Sequence, residues 1–199
     1  MNFLAHLYLS GGHPGIMVGN FIGDFVKGRN LYSRYEAAIA AGVELHRAID
    51  EFTDQHTAVK ASKQRLRPGY RHYAGVLVDI FYDHFLARQW DEHHPQLLPD
   101  FAEQVYRLMD QHHPVLPPKV QYMLPYMTRE NWLANYARLE GIDRALKGMA
   151  RRTRHISHME LALTDLKAHY HQFNNEFNNF FPEVSAFAAR WLSHKGFQV

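Results

Sequence analysis

The sequence contains no cysteine among its 199 residues. Disulfide bonds and cysteine nucleophiles are therefore excluded, and any metal site has to use nitrogen and oxygen ligands. No apolar run approaches the roughly 18 residues that a membrane-spanning helix requires. The apolar opening of the chain, residues 1–10, lacks a basic segment and contains His6, so we do not interpret it as a signal peptide. We expect a cytoplasmic protein.

The chain also has little net charge, formally +2, which gives no argument for a nucleic-acid partner. It has no Gly-x-x-x-x-Gly-Lys-Ser/Thr loop, no dinucleotide fingerprint after a strand and no Gly-x-Ser-x-Gly elbow, so these three classes of enzyme are not indicated. Hydrophobic residues make up 46% of the sequence, as in ordinary globular domains. We therefore predict a globular protein without a nucleic-acid or membrane partner, and leave its oligomeric state open.

The apolar residues recur with the period of α-helices, and no long run alternates as a strand would. Glycine and proline clusters separate the helical segments. We predict an all-α fold, a single-domain helical bundle over residues 1–199. The predicted helices cover residues 19–27, 35–55, 69–92, 99–112, 128–150, 157–179 and 183–194, with Asn20 as the cap of the first.

Charged side chains occupy the buried faces of two predicted helices. His46 and Asp50 lie one turn apart on the face that Val43 marks, and Asp79 and Asp83 repeat this arrangement on the next helix. Burying a carboxylate costs several kcal/mol, on the order of the penalty for other ions taken out of water. A divalent cation between the helices would compensate for this cost, so the two pairs predict a metal site.

An ion-pair network is the competing interpretation, with Arg47 as the compensating charge. Three further residues are open in the same way: His6 and His84 fit either a core position or a ligand, and Asp24 fits a ligand, a cap or a salt-bridge partner. The chain has 15 histidines, which favours metal chemistry without locating it. Carboxylate and imidazole ligands suit Mn²⁺, Mg²⁺, Fe²⁺ or Zn²⁺, and the excess of carboxylates puts Mn²⁺ or Mg²⁺ first. Such a cation polarises a phosphoryl oxygen and lowers the pKa of a water.

Several segments, in this order, resemble the acyl carrier protein phosphodiesterases, also called acyl carrier protein hydrolases. The resemblance covers nearly the whole chain and is densest in residues 1–90. The segments are Met1-Asn2-Phe3-Leu4-Ala5-His6-Leu7, Gly19-Asn20-Phe21-Ile22-Gly23-Asp24-Phe25-Val26-Lys27-Gly28, Leu45-His46-Arg47-Ala48-Ile49-Asp50 with Thr53-Asp54, Asp79-Ile80-Phe81-Tyr82-Asp83-His84-Phe85-Leu86, and Gly148-Met149-Ala150-Arg151-Arg152.

The resemblance implies an enzyme that removes 4'-phosphopantetheine from holo acyl carrier protein by hydrolysing the phosphodiester to a serine. It also implies a fold distantly like that of the HD phosphohydrolases, and a preference for Mn²⁺. The metal ligands it implies come from His6, Asp24, His46, Asp50, Asp79, Asp83 and His84. We assign catalytic roles to Asp79, Asp83, His46 and Arg47.

Basic residues supply the candidate contacts to substrate and partner. They are Lys27 and Arg29, and the cluster of Arg151, Arg152 and Arg154. The resemblance implies an acidic carrier protein as the partner, which such a cluster suits. Two other functions remain open: an HD-like phosphohydrolase acting on nucleotides or small diesters, and a helical module that binds a carrier protein without catalysis.

Overall fold

A computed structural model describes residues 1–153 and 155–198 of the chain. Within these ranges the regular secondary structure is helical and no strand occurs, which confirms the all-α class. The likeness to HD phosphohydrolases stays a prediction. The helices are α1 (Phe3–Tyr8), α2 (Pro14–Ile22), α3 (Ala37–Gln55), α4 (Thr57–Tyr70), α5 (Ala74–Arg88), α6 (Trp90–His93), α7 (Leu98–Gln111), α8 (Pro118–Arg129), α9 (Trp132–Asn135), α10 (Leu139–Arg152), α11 (Ala162–Ala168) and α12 (Tyr170–His194).

Helices α2 and α3 pack together more closely than any other pair of elements. Their backbones meet at Gly19 and Gly42, where a β-carbon on Gly19 would lie 2.0 Å from the carbonyl oxygen of Ile39 and 2.8 Å from the Gly42 Cα. Only glycine permits this approach, since any side chain would push the helices apart. The close contact fixes α2 against α3, and these two helices frame the candidate site.

The core on the other side of the molecule is aromatic. Tyr82 and Phe85 of α5 pack edge-on or tilted against Phe177 and Phe180 of α12, and all four side chains are buried. Burial of one such side chain stabilises the fold by about 1.5–3 kcal/mol. Helix α12 thereby holds α5, which carries Asp79 and Asp83, in a fixed position.

Proline misled the sequence prediction at three places. Pro68, Pro125 and Pro182 lie inside α4, α8 and α12, although we took them as breaks. Consequently α4 and α8 were missed, and α12 was predicted as parts of two helices. A proline removes one backbone hydrogen bond, but buried neighbours such as Phe181 and Val184 hold the helix through it.

Other predicted boundaries were also wrong. The helix over 69–92 begins only at Ala74 and ends at Arg88, and the segment 128–150 contains the end of α8, the short α9 and most of α10. Helix α1 was missed because six residues show too little periodicity. Asn20 lies inside α2 and is buried, so it does not cap the helix. By contrast, α3 and α7 agree with the predicted 35–55 and 99–112 to within two residues. Of the described helices, none has the length and apolar character to cross a membrane.

Candidate metal centre

Three side chains from two helices converge at one point beside α2. They are His6 of α1 and, one turn apart on α3, His46 and Asp50. Each offers one ligand atom, and the three atoms lie within 4.8 Å of one another. His6 and His46 are buried, while Asp50 is 43% exposed. The arrangement therefore has a closed side made of imidazoles and an open side made of a carboxylate.

Both imidazoles are held by the same residue, Asn20 of α2. The Asn20 side-chain amide donates to the carbonyl oxygen of His6 at 2.6 Å and to the Ser10 hydroxyl at 3.1 Å, so its Oδ1 accepts from His6 Nδ1 at 2.7 Å. The main-chain carbonyl of Asn20 accepts from His46 Nδ1 at 2.8 Å. With Nδ1 donating in both rings, the neutral tautomers leave both Nε2 atoms with a lone pair.

The two Nε2 atoms point at carboxylates. His6 Nε2 lies 3.3 Å from Asp50 Oδ1 without making a hydrogen bond, and it has no other partner in the part of the chain that the structure describes. His46 Nε2 lies 3.2 Å from Asp50 Oδ2 and 3.3 Å from Asp24 Oδ1. Asp24 belongs to a 3-10 turn, Gly23–Phe25, that continues α2. Asp24 thus joins the triad as a fourth residue, and its carboxylate is more exposed than that of Asp50.

The absence of a side chain at Gly23 leaves room for the imidazole ring of His46. A β-carbon at Gly23 would lie 2.2 Å from Cγ of the His46 ring, so a side chain there would displace the imidazole. The sequence contains Gly23 directly before Asp24, inside an apolar segment. That proximity to Asp24 was the only signal for it, and sequence reasoning assigned it no role.

The charges of the centre shift the pKa values strongly. Burial lowers the pKa of His46, but the carboxylates of Asp24 and Asp50 outweigh burial and raise it to about 9. Burial lowers the pKa of His6, and the neighbouring His46 lowers it further. Burial would raise the pKa of Asp50, but the nearby imidazoles of His46 and His6 outweigh burial and lower it. The centre therefore holds a positive charge between two carboxylates.

A divalent cation fits these donors. His6 Nε2 is a buried nitrogen without a hydrogen-bond partner, which costs stability unless a ligand completes it. Two imidazole nitrogens with carboxylate oxygens suit Mn²⁺, Fe²⁺ or Zn²⁺. Asn20 orients both rings from outside, as the partners of metal-bound histidines usually do. His6, His46 and Asp50 are the residues that would hold the ion, with Asp24 in reach.

A cavity of about 180 Å³ opens beside the triad. Its lining includes the predicted Asp24, Asp50 and Asp79, and also Thr53 and Asp54, which sequence reasoning did not assign to the site. Thr53 lies one turn after Asp50 and is 3% exposed, yet its hydroxyl has no hydrogen-bond partner among residues 1–153 and 155–198. Thr53 falls on the same helix face as Asp50 and His46, and that spacing was the available signal.

The structure places Asp79 and Asp83 differently from each other. Asp79 lines the cavity, and its Oδ1 accepts from the α-amino group of Met1 at 2.9 Å. Asp83 is fully buried, and its two oxygens accept from the main-chain N–H groups of Asn2, Leu4 and Ala5 at 2.8–3.3 Å. Asp83 thus caps α1, the helix that carries His6, and does not line the cavity.

The structure does not bring His84 to the triad. Its Nδ1 donates to the carbonyl oxygen of Tyr136 at 2.7 Å, and its Nε2 accepts from the Tyr170 hydroxyl at 2.9 Å, beside a separate cavity. Arg47 donates to the main-chain carbonyls of Val26 and Gly28, each at 2.9 Å. Arg47 therefore fixes the segment that follows Asp24. The sequence had offered Arg47 as the charge that compensates the buried acids, and the structure gives it this other role.

The predicted basic contacts lie at the surface. Lys27 and Arg29 are exposed on the segment that Arg47 fixes, three and five residues after Asp24. Arg151 and Arg152 are exposed at the end of α10. Arg154 lies outside the described residues.

The sequence matches one family model and relatives that share the name of that family. A family model described as acyl carrier protein phosphodiesterase matches residues 1–184. A protein of that name from Serratia proteamaculans is 36% identical over 185 residues, which cover 92% of this chain and 95% of the relative. Another from Photorhabdus laumondii is 37% identical over 183 residues, 92% of each chain.

A third relative with the same name, from an Enterobacter species, is 34% identical over 185 residues, covering 92% of this chain and 95% of the relative. No solved structure matches the chain. The family match spans α1 to most of α12 and therefore includes every residue of the metal centre. The chain belongs to the acyl carrier protein phosphodiesterase family.

Proposed function

We propose that this chain hydrolyses the phosphodiester between 4'-phosphopantetheine and a serine of holo acyl carrier protein, with a divalent cation held by His6, His46 and Asp50. The observation that carries this proposal is the convergence of the three ligand atoms at a cavity, in a chain of this family. The products are the apo carrier protein and 4'-phosphopantetheine.

The cation would polarise a phosphoryl oxygen and lower the pKa of a water in the cavity. Asp24 supports this role from the open side of the centre, because its Oδ1 is 3.3 Å from His46 Nε2. We take Mn²⁺ as the first choice and Mg²⁺, Fe²⁺ and Zn²⁺ as the ions to compare with it. Two buried imidazoles move the preference from Mg²⁺ towards the transition metals.

Asp79 is the residue that we assign to proton transfer. Its Oδ1 is engaged by the Met1 amino group, whereas Oδ2 makes no hydrogen bond among the described residues, and the residue lines the cavity. Oδ2 would accept the proton of the water that attacks phosphorus. As the bond between phosphorus and the serine oxygen breaks, that proton goes to the serine oxygen, and the hydroxyl of the water remains on phosphorus.

Asp83 and Arg47 act through position in this mechanism. Asp83 holds α1, and with it His6, by accepting three main-chain N–H groups. Arg47 holds the segment that presents Lys27 and Arg29 near Asp24. Lys27 and Arg29 would steady the phosphate charge, as basic groups do in phosphoryl chemistry.

The arginines at the end of α10 would contact the carrier protein. Arg151 and Arg152 are exposed, and Arg154 follows them in the sequence. Arg152 lies close enough to Tyr136 to affect the pKa of its hydroxyl, and that hydroxyl accepts from the Asn2 side chain. Arg152 therefore lies on the side of the molecule where α1 begins. Charge complementarity of this kind mainly accelerates the encounter and is screened by salt.

The test is incubation of holo carrier protein with the protein and Mn²⁺, followed by mass spectrometry for loss of the arm. A panel of nucleotides and small diesters is assayed in parallel. We expect the arm to be lost with the wild type and retained with Asp50→Asn. Glu51→Gln is the matched control, since Glu51 is exposed on the same helix one residue on. An intact holo carrier protein beside cleaved nucleotides would refute the substrate, and a fully active Asp50→Asn would refute the site.

A further inference from the structure

A second cavity, of about 430 Å³, lies where α5 ends and α10 and α12 begin. Its polar lining is His84, Arg88, Arg138, Glu140 and Tyr170, and we call it the His84 pocket. It shares no lining residue with the cavity beside the metal centre. The proposed hydrolysis therefore does not account for it.

The inner wall of the His84 pocket is rigid. His84 is 1% exposed and is held from both ring nitrogens, by the Tyr136 carbonyl oxygen at 2.7 Å and by the Tyr170 hydroxyl at 2.9 Å. Because Nδ1 donates to a carbonyl, Nε2 of the neutral ring accepts, and the hydroxyl proton of Tyr170 is committed to it. The buried His84 and the half-buried Tyr170 thus form a fixed wall, which leaves the donor role to the arginines.

The arginines at the mouth are not engaged by acids. Among the described residues, neither Arg88 nor Arg138 has a carboxylate oxygen within 4.0 Å. Glu140 also lines the pocket, so the lining carries one positive charge in excess. A guanidinium presents a planar fork of donors that matches the oxygens of carboxylate and phosphate. Two such forks facing one cavity can hold an oxyanion that neither would hold alone.

We propose that the His84 pocket is an oxyanion-binding site, which takes a carboxylate or phosphate group between Arg88 and Arg138 against the His84–Tyr170 wall. This site is additional to the proposed metal centre and stands whether or not that centre cleaves a diester.

The pocket is connected to the metal centre through α1. Asn2 donates its side-chain amide to the Tyr136 hydroxyl at 3.0 Å, and its main-chain N–H bonds to Asp83. Tyr136 in turn accepts from His84. Hydrogen bonds through Tyr136 and Asn2 thus run from His84 of the pocket to Asp83, which holds α1. An anion in the His84 pocket is accordingly either a free small molecule or a group of the same substrate that reaches the metal centre.

The first experiment follows the side-chain Nε–H signals of arginine by NMR while inorganic phosphate, and separately acetate, is added to the full-length protein. Single Arg88→Gln and Arg138→Gln variants assign the two signals. We expect both to shift saturably, and we expect the Arg144 signal, from an exposed arginine on the same helix as the pocket's edge, to stay in place. Shifts that are absent, or equally large at Arg144, would overturn the proposal.

Two variants separate the pocket from the metal centre. Asp50→Asn should leave the arginine shifts unchanged, whereas in Arg88→Gln the remaining Arg138 signal should need at least tenfold more phosphate to respond. A response that disappears in Asp50→Asn would assign the anion to the metal centre and overturn the pocket.

A kinetic comparison identifies the source of the anion. If the anion belongs to the carrier protein, the Arg88→Gln/Arg138→Gln double variant raises KM for holo carrier protein about tenfold, leaves kcat unchanged and leaves cleavage of a small diester unaffected. If it is a free small molecule, KM for the carrier stays within twofold while the NMR response is still lost. Should the wild type cleave neither substrate, the proposed function fails, and the NMR titration still decides on the pocket.

Discussion

The imidazole rings of His6 and His46 are stacked, with centroids 4.0 Å apart and planes inclined by 19°. Both rings direct Nε2 to the carboxylate of Asp50, at 3.3 and 3.2 Å. Two buried imidazoles this close repel each other if both are positively charged, so at most one is. The pair is therefore stable when His46 is protonated between the carboxylates of Asp24 and Asp50, or when a cation replaces that proton.

Binding of Mn²⁺ should become tighter as pH rises. Without the cation, Asp24 and Asp50 raise the pKa of His46 to about 9 against the effect of burial, so the ring is protonated at neutral pH. The cation needs the neutral ring, and apparent affinity should rise about tenfold per pH unit between pH 6 and 8 and level off above 9. Calorimetry in buffers of different ionisation enthalpy should detect release of about one proton. An affinity that is independent of pH, without proton release, would contradict the exchange.

Asn20→Ala should weaken Mn²⁺ binding although Asn20 does not touch the ion. The substitution removes the Oδ1 that orients His6 and the amide that holds the His6 carbonyl. Loss of such an outer partner typically costs about 10–100-fold in metal affinity. The control is Asn178→Ala on the exposed side of α12, which should change nothing. Equal affinities for both variants, measured by titration, would show that Asn20 does not position the centre.

Much of this centre was predictable from the sequence, because ligands on one helix follow its period. The structure brings together His46 and Asp50, which lie one turn apart on an apolar face and were predicted to share one site. Their role as metal ligands stays a prediction. The sequence offered weaker grounds for choosing candidate ligands on elements other than α3. The geometry of α1 and the 3-10 turn after α2 decides that His6 and Asp24 join α3, and short elements carry almost no periodic signal.

The same limit explains why the structure does not bring together the three candidate ligands on α5. Asp79, Asp83 and His84 lie within six residues, and the sequence offered all three as ligands. Adjacent side chains on a helix point about 100° apart, so one helix cannot direct both Asp83 and His84 at one ion. The packing of α1 and α10 decides which of these side chains faces α1, which faces the cavity and which faces the His84 pocket. The sequence of α5 alone does not contain that packing.

Gly23→Ala should remove metal binding while leaving the fold intact. The added methyl group would lie 2.2 Å from Cγ and 2.5 Å from Cδ2 of His46, so the ring has to leave its position. We expect at least a tenfold loss of Mn²⁺ affinity. Gly148→Ala is the matched control, because nothing lies within 4 Å of the new methyl group and alanine stabilises a helix by about 0.5–1 kcal/mol over glycine. A Gly23→Ala variant that binds Mn²⁺ like the wild type would refute the position of His46.

Asp83→Asn should destabilise the protein without removing a ligand. Burial raises the pKa of Asp83 to about 7, while the N–H groups of Asn2, Leu4 and Ala5 work against that increase. An asparagine has one acceptor oxygen for these donors and directs its own N–H₂ group at them. The expected cost is about 1–3 kcal/mol in the free energy of unfolding, measured with urea.

The control for Asp83 is Asp143→Asn, which breaks a surface pair with Lys147. Such pairs contribute about 0–1 kcal/mol, so the variant should unfold near the wild-type midpoint. If both variants unfold at the same urea concentration, Asp83 does not anchor α1.

The Thr53 hydroxyl should increase activity and decrease the stability of the fold. Its hydroxyl is buried at the cavity beside Asp50 and has no partner, which costs about 1–3 kcal/mol on mutational scales. Thr53→Val keeps the shape and removes this cost, so its melting temperature should rise. If the hydroxyl donates to the substrate phosphate, kcat/KM for holo carrier protein should fall about tenfold, the equivalent of about 1.4 kcal/mol, and Thr53→Ser should restore it. A valine variant that gains stability and keeps full activity would show that the unpaired hydroxyl serves no substrate.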